Sequence, residues 1–243
     1  MIDPIKSNAT FATYQSNGSS QPISQELLNQ LLMTSLSGNL ILDLYDTFDT
    51  LMQKLKPLEP QVPGLEDLIE DLQSQSFEPQ LTLYKITGAV AKAFIQSDTH
   101  MSPEEQTNAI QDIDKILSQP EPDHKDERIW NIQIVSSIIS HVPGIIPDGR
   151  EKTELLETMN KPPSDDPDYD KALCEVLVWS TNIAVSLAVN IPGALSDKEK
   201  IELKGLGSGP VKPLDDSFQE YFIHAQVWAA RVYEKIEDTF FKN

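Results

Sequence analysis

The chain is poor in glycine, in cysteine and in positive charge. Ten glycines in 243 residues leave few positions for sharply bent backbone. No stretch alternates apolar and polar residues in the way a half-buried strand does. A single cysteine, Cys174, excludes an intrachain disulfide and fits a reducing compartment. It sits in "KALCEVLVW", where a thiol serves as a small buried hydrophobe; a nucleophile would need a histidine beside it. Nineteen Lys and Arg stand against 38 Asp and Glu, a formal net charge of −19, with a pI near 4.4. Phosphate backbones and anionic membrane surfaces repel such a chain, so nucleic acid and membrane are poor partners. A basic protein surface is attracted. The same acidity also serves solubility alone.

A secretory leader is equally lacking. "MIDPIKSNATFATYQSNGSSQPISQ" has no apolar run after a basic start, and its Ser, Asn, Gln and Gly content reads as a flexible leader over 1–23. Residues 24–243 then form one all-α domain, with a candidate sub-boundary near 119–123. The most apolar stretch, 176–195, is long enough to cross a bilayer. It carries Ser180, Thr181, Asn182, Ser186 and Asn190 and ends at Pro192, which favours a core helix over a membrane span.

What is present is helical periodicity. A first helix is expected over 24–37, with Leu27, Leu28, Leu31 and Leu32 as its stripe, and a second over 40–58, with Leu44, Phe48, Leu51 and Leu55 on one face. A short acidic helix follows over 64–76, then a helix over 79–98 striped by Leu83, Ile86, Val90 and Phe94. Ser102, Pro103 and Glu105 make a capping-box start for the next. Asp123, the acidic loop before Tyr169, and Ser196 or Asp197 cap later helices. The last runs from about 215 to the end. The chain is expected to fold as antiparallel helical hairpins, about nine to ten helices in an irregular bundle or short solenoid.

Two corners look alike: "IISHVPGIIPDGREK" and "SLAVNIPGALSDKEK", with Pro143 and Pro192 49 residues apart. In that register Trp130 falls on Trp179, and the same step again reaches Trp228. These are all the tryptophans in the chain. Each begins an apolar series at every fourth position: Ile134, Ile138, Val142; Ile183, Leu187, Ile191; Val232, Ile236, Phe240. The pattern predicts a repeated long-helix, short-helix unit, although the helix starts drift and amphipathic helices align easily. In each corner proline halts the helix and glycine permits a left-handed turn.

Signals for chemistry are weak. Asp165, Asp166, Asp168 and Asp170 alternate like calcium ligands, but Lys171 and Leu177 stand where an EF-hand needs Gly and Glu. A solvated loop and helix cap fits better. "KGLGSGP" lacks the preceding strand and following helix of a phosphate loop. His100, His124, His141 and His224 form no metal-ligating pair. No cofactor or metal is expected, and no acid–base couple stands out.

The C-terminus carries Glu234, Glu237 and Asp238, then Phe240 and Phe241. Acidic residues followed by an apolar residue near the end resemble the C-terminal signal of effectors translocated by the Dot/Icm type IV secretion system of Legionella-like bacteria. The resemblance spans about 12 residues, and its acidic block is looser than in the stronger examples. It implies delivery into a host cell without a cleaved signal peptide; otherwise a cytoplasmic location is expected. It implies nothing about activity. The leading expectation is a non-enzymatic, acidic α-helical interaction module for a protein partner with a basic surface. Asp165, Asp166, Asp168 and Asp170 would be its electrostatic contact, and Trp130, Trp179 and Trp228 its core or groove anchors. The alternative is an enzyme whose active site is scattered over several helices; a membrane-associating protein using 176–195 is a third class.

Overall fold

A computed structural model describes residues 23–37, 51–74, 79–120, 127–164, 166–207, 209–210 and 217–240. Among these it contains nine α-helices, one 3-10 turn and no strand. The helices are α1 (Gln25–Ser37), α2 (Leu65–Gln73), α3 (Pro79–Ser97), α4 (Pro103–Leu117), α5 (Glu127–His141), α6 (Arg150–Met159), α7 (Tyr169–Asn190), α8 (Asp197–Leu206) and α9 (Phe218–Phe240). The protein is all-α, as its periodicity predicts. Of the expected second helix, 51–55 is helical and leads into the 3-10 turn Lys56–Leu58. Leu44, Phe48, the Asp123 cap and the leader over 1–22 lie outside the described residues.

After α1 the helices pair as hairpins, short before long except in α4/α5, whose described helices are both 15 residues. The long helices α3, α5, α7 and α9 pack in succession, each against the next. The short helices lie across the joints: α4 packs on α3 and α5, α6 on α5 and α7, and α8 on α7 and α9. Because α4 bridges α3 and α5, packing continues past the proposed sub-boundary. The result is an all-α bundle of helical hairpins.

Helix α1 packs against all four long helices, which its sequence stripe does not reveal. Ser24 opens it, its Oγ accepting the Leu27 amide at 3.1 Å. Leu27 and Leu31 join a smaller apolar core with Leu65, Ile69, Leu83, Ile86 and Val90. Leu28, Leu32, Met33 and Leu36 face the larger core of α5, α7 and α9. Gln30, Thr34 and Ser35 are therefore buried too, and buried polar groups require partners. Thr34 Oγ1 and Ser35 Oγ donate to carbonyls of their own helix. The Asn131 amide of α5 donates to the Ser35 carbonyl at 2.9 Å. Gln30 Nε2 donates to the Phe240 carbonyl at 3.0 Å, and Gln30 Oε1 accepts from Lys54 at 2.8 Å. The Gln30 side chain thereby ties α1 to the end of α9.

A third Pro-Gly pair, Pro63-Gly64 ahead of α2, shares features with the corners at Pro143 and Pro192. Val62, Val142 and Ile191 are buried, and each donates its amide to a carbonyl four residues back (Leu58, Ile138 and Leu187). Proline follows the ends of α5 and α7, whereas before Pro63 the helical turn has already ended at Leu58. Gly64, Gly144 and Gly193 then take φ of 78°, 82° and 72°, a left-handed conformation that side-chain-bearing residues avoid.

Candidate functional site

Each tryptophan ties a long helix to the short helix before it. The indole N–H of Trp130 donates to the Ile116 carbonyl at 3.2 Å, that of Trp179 to the Thr158 carbonyl at 3.0 Å, and that of Trp228 to the Leu206 carbonyl at 2.5 Å. All three acceptors lie in the last turn of the preceding helix; the Ile116 and Thr158 carbonyls also accept the Gln119 and Lys161 amides, so there the indole takes the carbonyl's second acceptor position. The 49-residue register is thus a structural equivalence: three hairpins, α4/α5, α6/α7 and α8/α9, carry the same bond. Trp130 and Trp228 are buried and Trp179 is half-buried. Trp130 also meets Tyr84 of α3, ring centroids 6.3 Å apart. Burial raises the Tyr84 hydroxyl pKa far above its usual value.

The equivalence extends into a groove beside each bond. Four residues before the accepting carbonyl stands an acid in every hairpin: Asp112, Glu154 and Glu202. Seven residues after each tryptophan stand Ser137, Ser186 and Lys235; eleven after stand His141, Asn190 and Thr239. In α4/α5 the acid is met by His141, whose Nε2 lies 2.8 Å from Asp112. In α8/α9 Lys235 reaches Glu202 at 2.9 Å. That contact holds the Glu202 carboxyl below the usual range and raises the Lys235 ammonium pKa. In α6/α7 the long helix offers only Ser186 and Asn190, and Glu154 pairs at 2.6 Å with Arg150 of its own helix. Open grooves of about 410 and 310 Å³ remain in the first two hairpins. The first groups Asp112, Ser137 and His141. Ser137 Oγ is buried with no hydrogen-bond partner, so these three do not form a serine–histidine–aspartate relay.

A cleft of about 500 Å³ lies where two Pro-Gly corners meet the start of α1 and the end of α9. Gln25, Glu26, Asn29, Gln30, Gly144, Pro192, Gly193 and Phe240 line it. Its lining is rich in side-chain amides. Among them, Asn29 Oδ1 is buried with no partner.

The acidic loop is organised by its own backbone. Asp168 caps α7, its Oδ1 accepting the Asp170 and Lys171 amides at 3.2 and 3.4 Å, and Asp166 Oδ1 accepts the Asp168 amide at 2.8 Å. Asp170 is exposed; Asp165 lies outside the described residues. Among the described residues no group of three or more His, Cys, Asp or Glu is placed to hold a metal ion. In the tail, Glu234 and Asp238 are exposed on α9, Glu237 is half-buried, and Phe240 packs against the larger core. Phe241 lies outside the described residues. Helix α7 is the one described helix long and apolar enough to cross a membrane, and 67% of that window is buried inside the bundle.

Sequence reasoning misses the acid register and the groove. Ser137, Ser186 and Lys235 follow the tryptophan offset and were within its reach. Asp112, Glu154 and Glu202 do not, because the connections between short and long helices differ in length. No protein-family model matches the chain, and no curated protein or solved structure matches it.

Proposed function

We propose that the protein is an acidic helical scaffold that binds a protein partner through that partner's basic surface. The observation that carries this reading is the charge of the first short helices. Helices α2 and α4, both packed on α3, expose Glu66, Asp67, Glu70, Asp71, Glu104, Glu105, Asp112 and Asp114, with Lys115 as their one cation. The Lys92 ammonium of α3 reaches Asp114 at 2.6 Å and His141 meets Asp112, and Glu105 accepts the Ser102 amide; Glu66, Asp67, Glu70 and Asp71 of α2 remain exposed as one acidic face. Like charges held on a folded framework raise the local potential and steer an oppositely charged protein toward it.

Affinity capture from cell lysate, with wild type compared against a variant carrying Glu66→Gln, Asp67→Asn, Glu70→Gln and Asp71→Asn, tests the reading. Capture of a stoichiometric basic protein, weakened by salt and by the variant, is expected. A captured set unchanged by salt and by the variant overturns it. Host-cell delivery is a separate proposal that rests on the tail resemblance alone. A reporter fused to the full chain, compared with one lacking 232–243, should lose translocation with the deletion; equal translocation refutes it.

A further inference from the structure

We propose that the groove between α6 and α7 receives a lysine side chain from a protein partner. The inference rests on the reading of the protein as an acceptor of basic partners, and names where one basic side chain goes.

Three hairpins place an acid at the same position on the short helix, facing the same stretch of the long helix. Two of them supply a basic group from that long helix: His141 meets Asp112, and Lys235 meets Glu202. The middle hairpin does not. Ser186 occupies the register position of Lys235, and its short side chain leaves a groove of about 310 Å³. Glu154 turns to Arg150, an exposed pair one helical turn apart that is worth little in water. Glu151 adds a second carboxylate to the groove wall.

The remaining lining suits a lysine. Leu155 and Ile183 are buried beneath the groove and offer apolar contact to a four-carbon stem, while the carboxylates face the ammonium. Lys235 already shows the arrangement: a lysine from the long helix crosses to the acid of the short helix. An incoming lysine reproduces that contact between two molecules. An arginine's wider guanidinium fork has no such precedent in the other hairpins.

The test uses the full chain and a small probe, N-acetyl-lysine methylamide, followed by NMR through the side-chain amides of Asn182 and Asn190. N-acetyl-norleucine methylamide, with a similar apolar stem and no charge, is the control. Saturable shifts at both amides are expected with the lysine probe only, at about millimolar affinity. Glu154→Gln should weaken binding by about fivefold, and Ser186→Lys should abolish it by filling the groove from within. Lys235→Ser should open a second, equivalent site between α8 and α9. Absence of saturable shifts, equal response to norleucine, or binding that survives Ser186→Lys overturns the inference. Should Ser186→Lys fail to fold, the Glu154→Gln and Lys235→Ser outcomes decide. A basic protein captured through α2 without any probe binding refutes the groove and leaves the wider reading standing.

Discussion

Replacing Trp130 by phenylalanine should destabilise the protein by about 2–3 kcal/mol. The indole N–H bonded to the Ile116 carbonyl at 3.2 Å disappears, and a typical net hydrogen bond is worth ~1 kcal/mol. Trp130 is only 4% exposed, so the smaller ring leaves a void on the order of 40 Å³, which at about 24 cal/mol per Å³ adds ~1 kcal/mol. The Ile116 carbonyl keeps the Gln119 amide as a donor, so no further desolvation cost is added and the lower end of the range is expected. Trp179→Phe should cost about 1 kcal/mol or less, because Thr158 is exposed and water can replace the lost donor. Urea unfolding followed by far-UV circular dichroism measures both, and an unchanged m-value confirms that the difference is one of stability. Equal costs for the two variants, or a Trp130→Phe cost below about 0.5 kcal/mol, would refute the argument that buried tryptophan clamps join the helices.

Three further outcomes follow from the geometry. Gly193→Ala meets no neighbouring atom, yet its φ of 72° should make the substitution cost about 1 kcal/mol. Gly205→Ala, in open space on α8 with helical backbone, should stabilise by a similar ~1 kcal/mol, and thermal melts should show the opposite signs. The Ser196 capping box holds the Glu199 carboxyl below its ordinary value of 4.5, chiefly through the Ser196 side chain. A depressed folded pKa adds stability above the unfolded value and loses it as pH falls through the folded value. Ser196→Ala should therefore lower the melting temperature most at neutral pH, with a gap that narrows as pH falls through the Glu199 range and does not close, because the cap on the Glu199 amide is lost at every pH; a constant gap contradicts this. Cys174 is buried and burial raises its thiol pKa, so iodoacetamide should label it about a hundredfold or more slower than free cysteine, at a rate set by opening of the fold; rapid native labelling contradicts its placement.

Local chemistry carried most of the architecture. Ser102 with Glu105, and Ser196 with Glu199, announce helix starts because a hydroxyl and a carboxylate at that spacing satisfy free amides. Pro-Gly corners announce turns because proline ends a helix and glycine alone tolerates the left-handed residue. The position of α1 was not legible. Its leucine stripe matches a surface helix, and the burial of Gln30, Thr34 and Ser35 depends on partners as distant in sequence as Asn131 and Phe240. The tryptophans were visible as a register, but the carbonyls they bind were not, since any backbone carbonyl accepts equally well. The groove stayed hidden for the same reason: Ser186 is informative only beside Lys235, once Glu154 and Glu202 are known to face them.

Three equivalent tryptophan bonds hold three hairpins together, and exchange of the indole protons tests this directly. With only three tryptophans, each indole N–H gives one resolvable NMR signal in the full chain. The account predicts slowed hydrogen exchange at all three, with Trp130 and Trp228 protected more strongly than half-buried Trp179. An indole proton of Trp130 or Trp228 that exchanges at the rate of free tryptophan would contradict it.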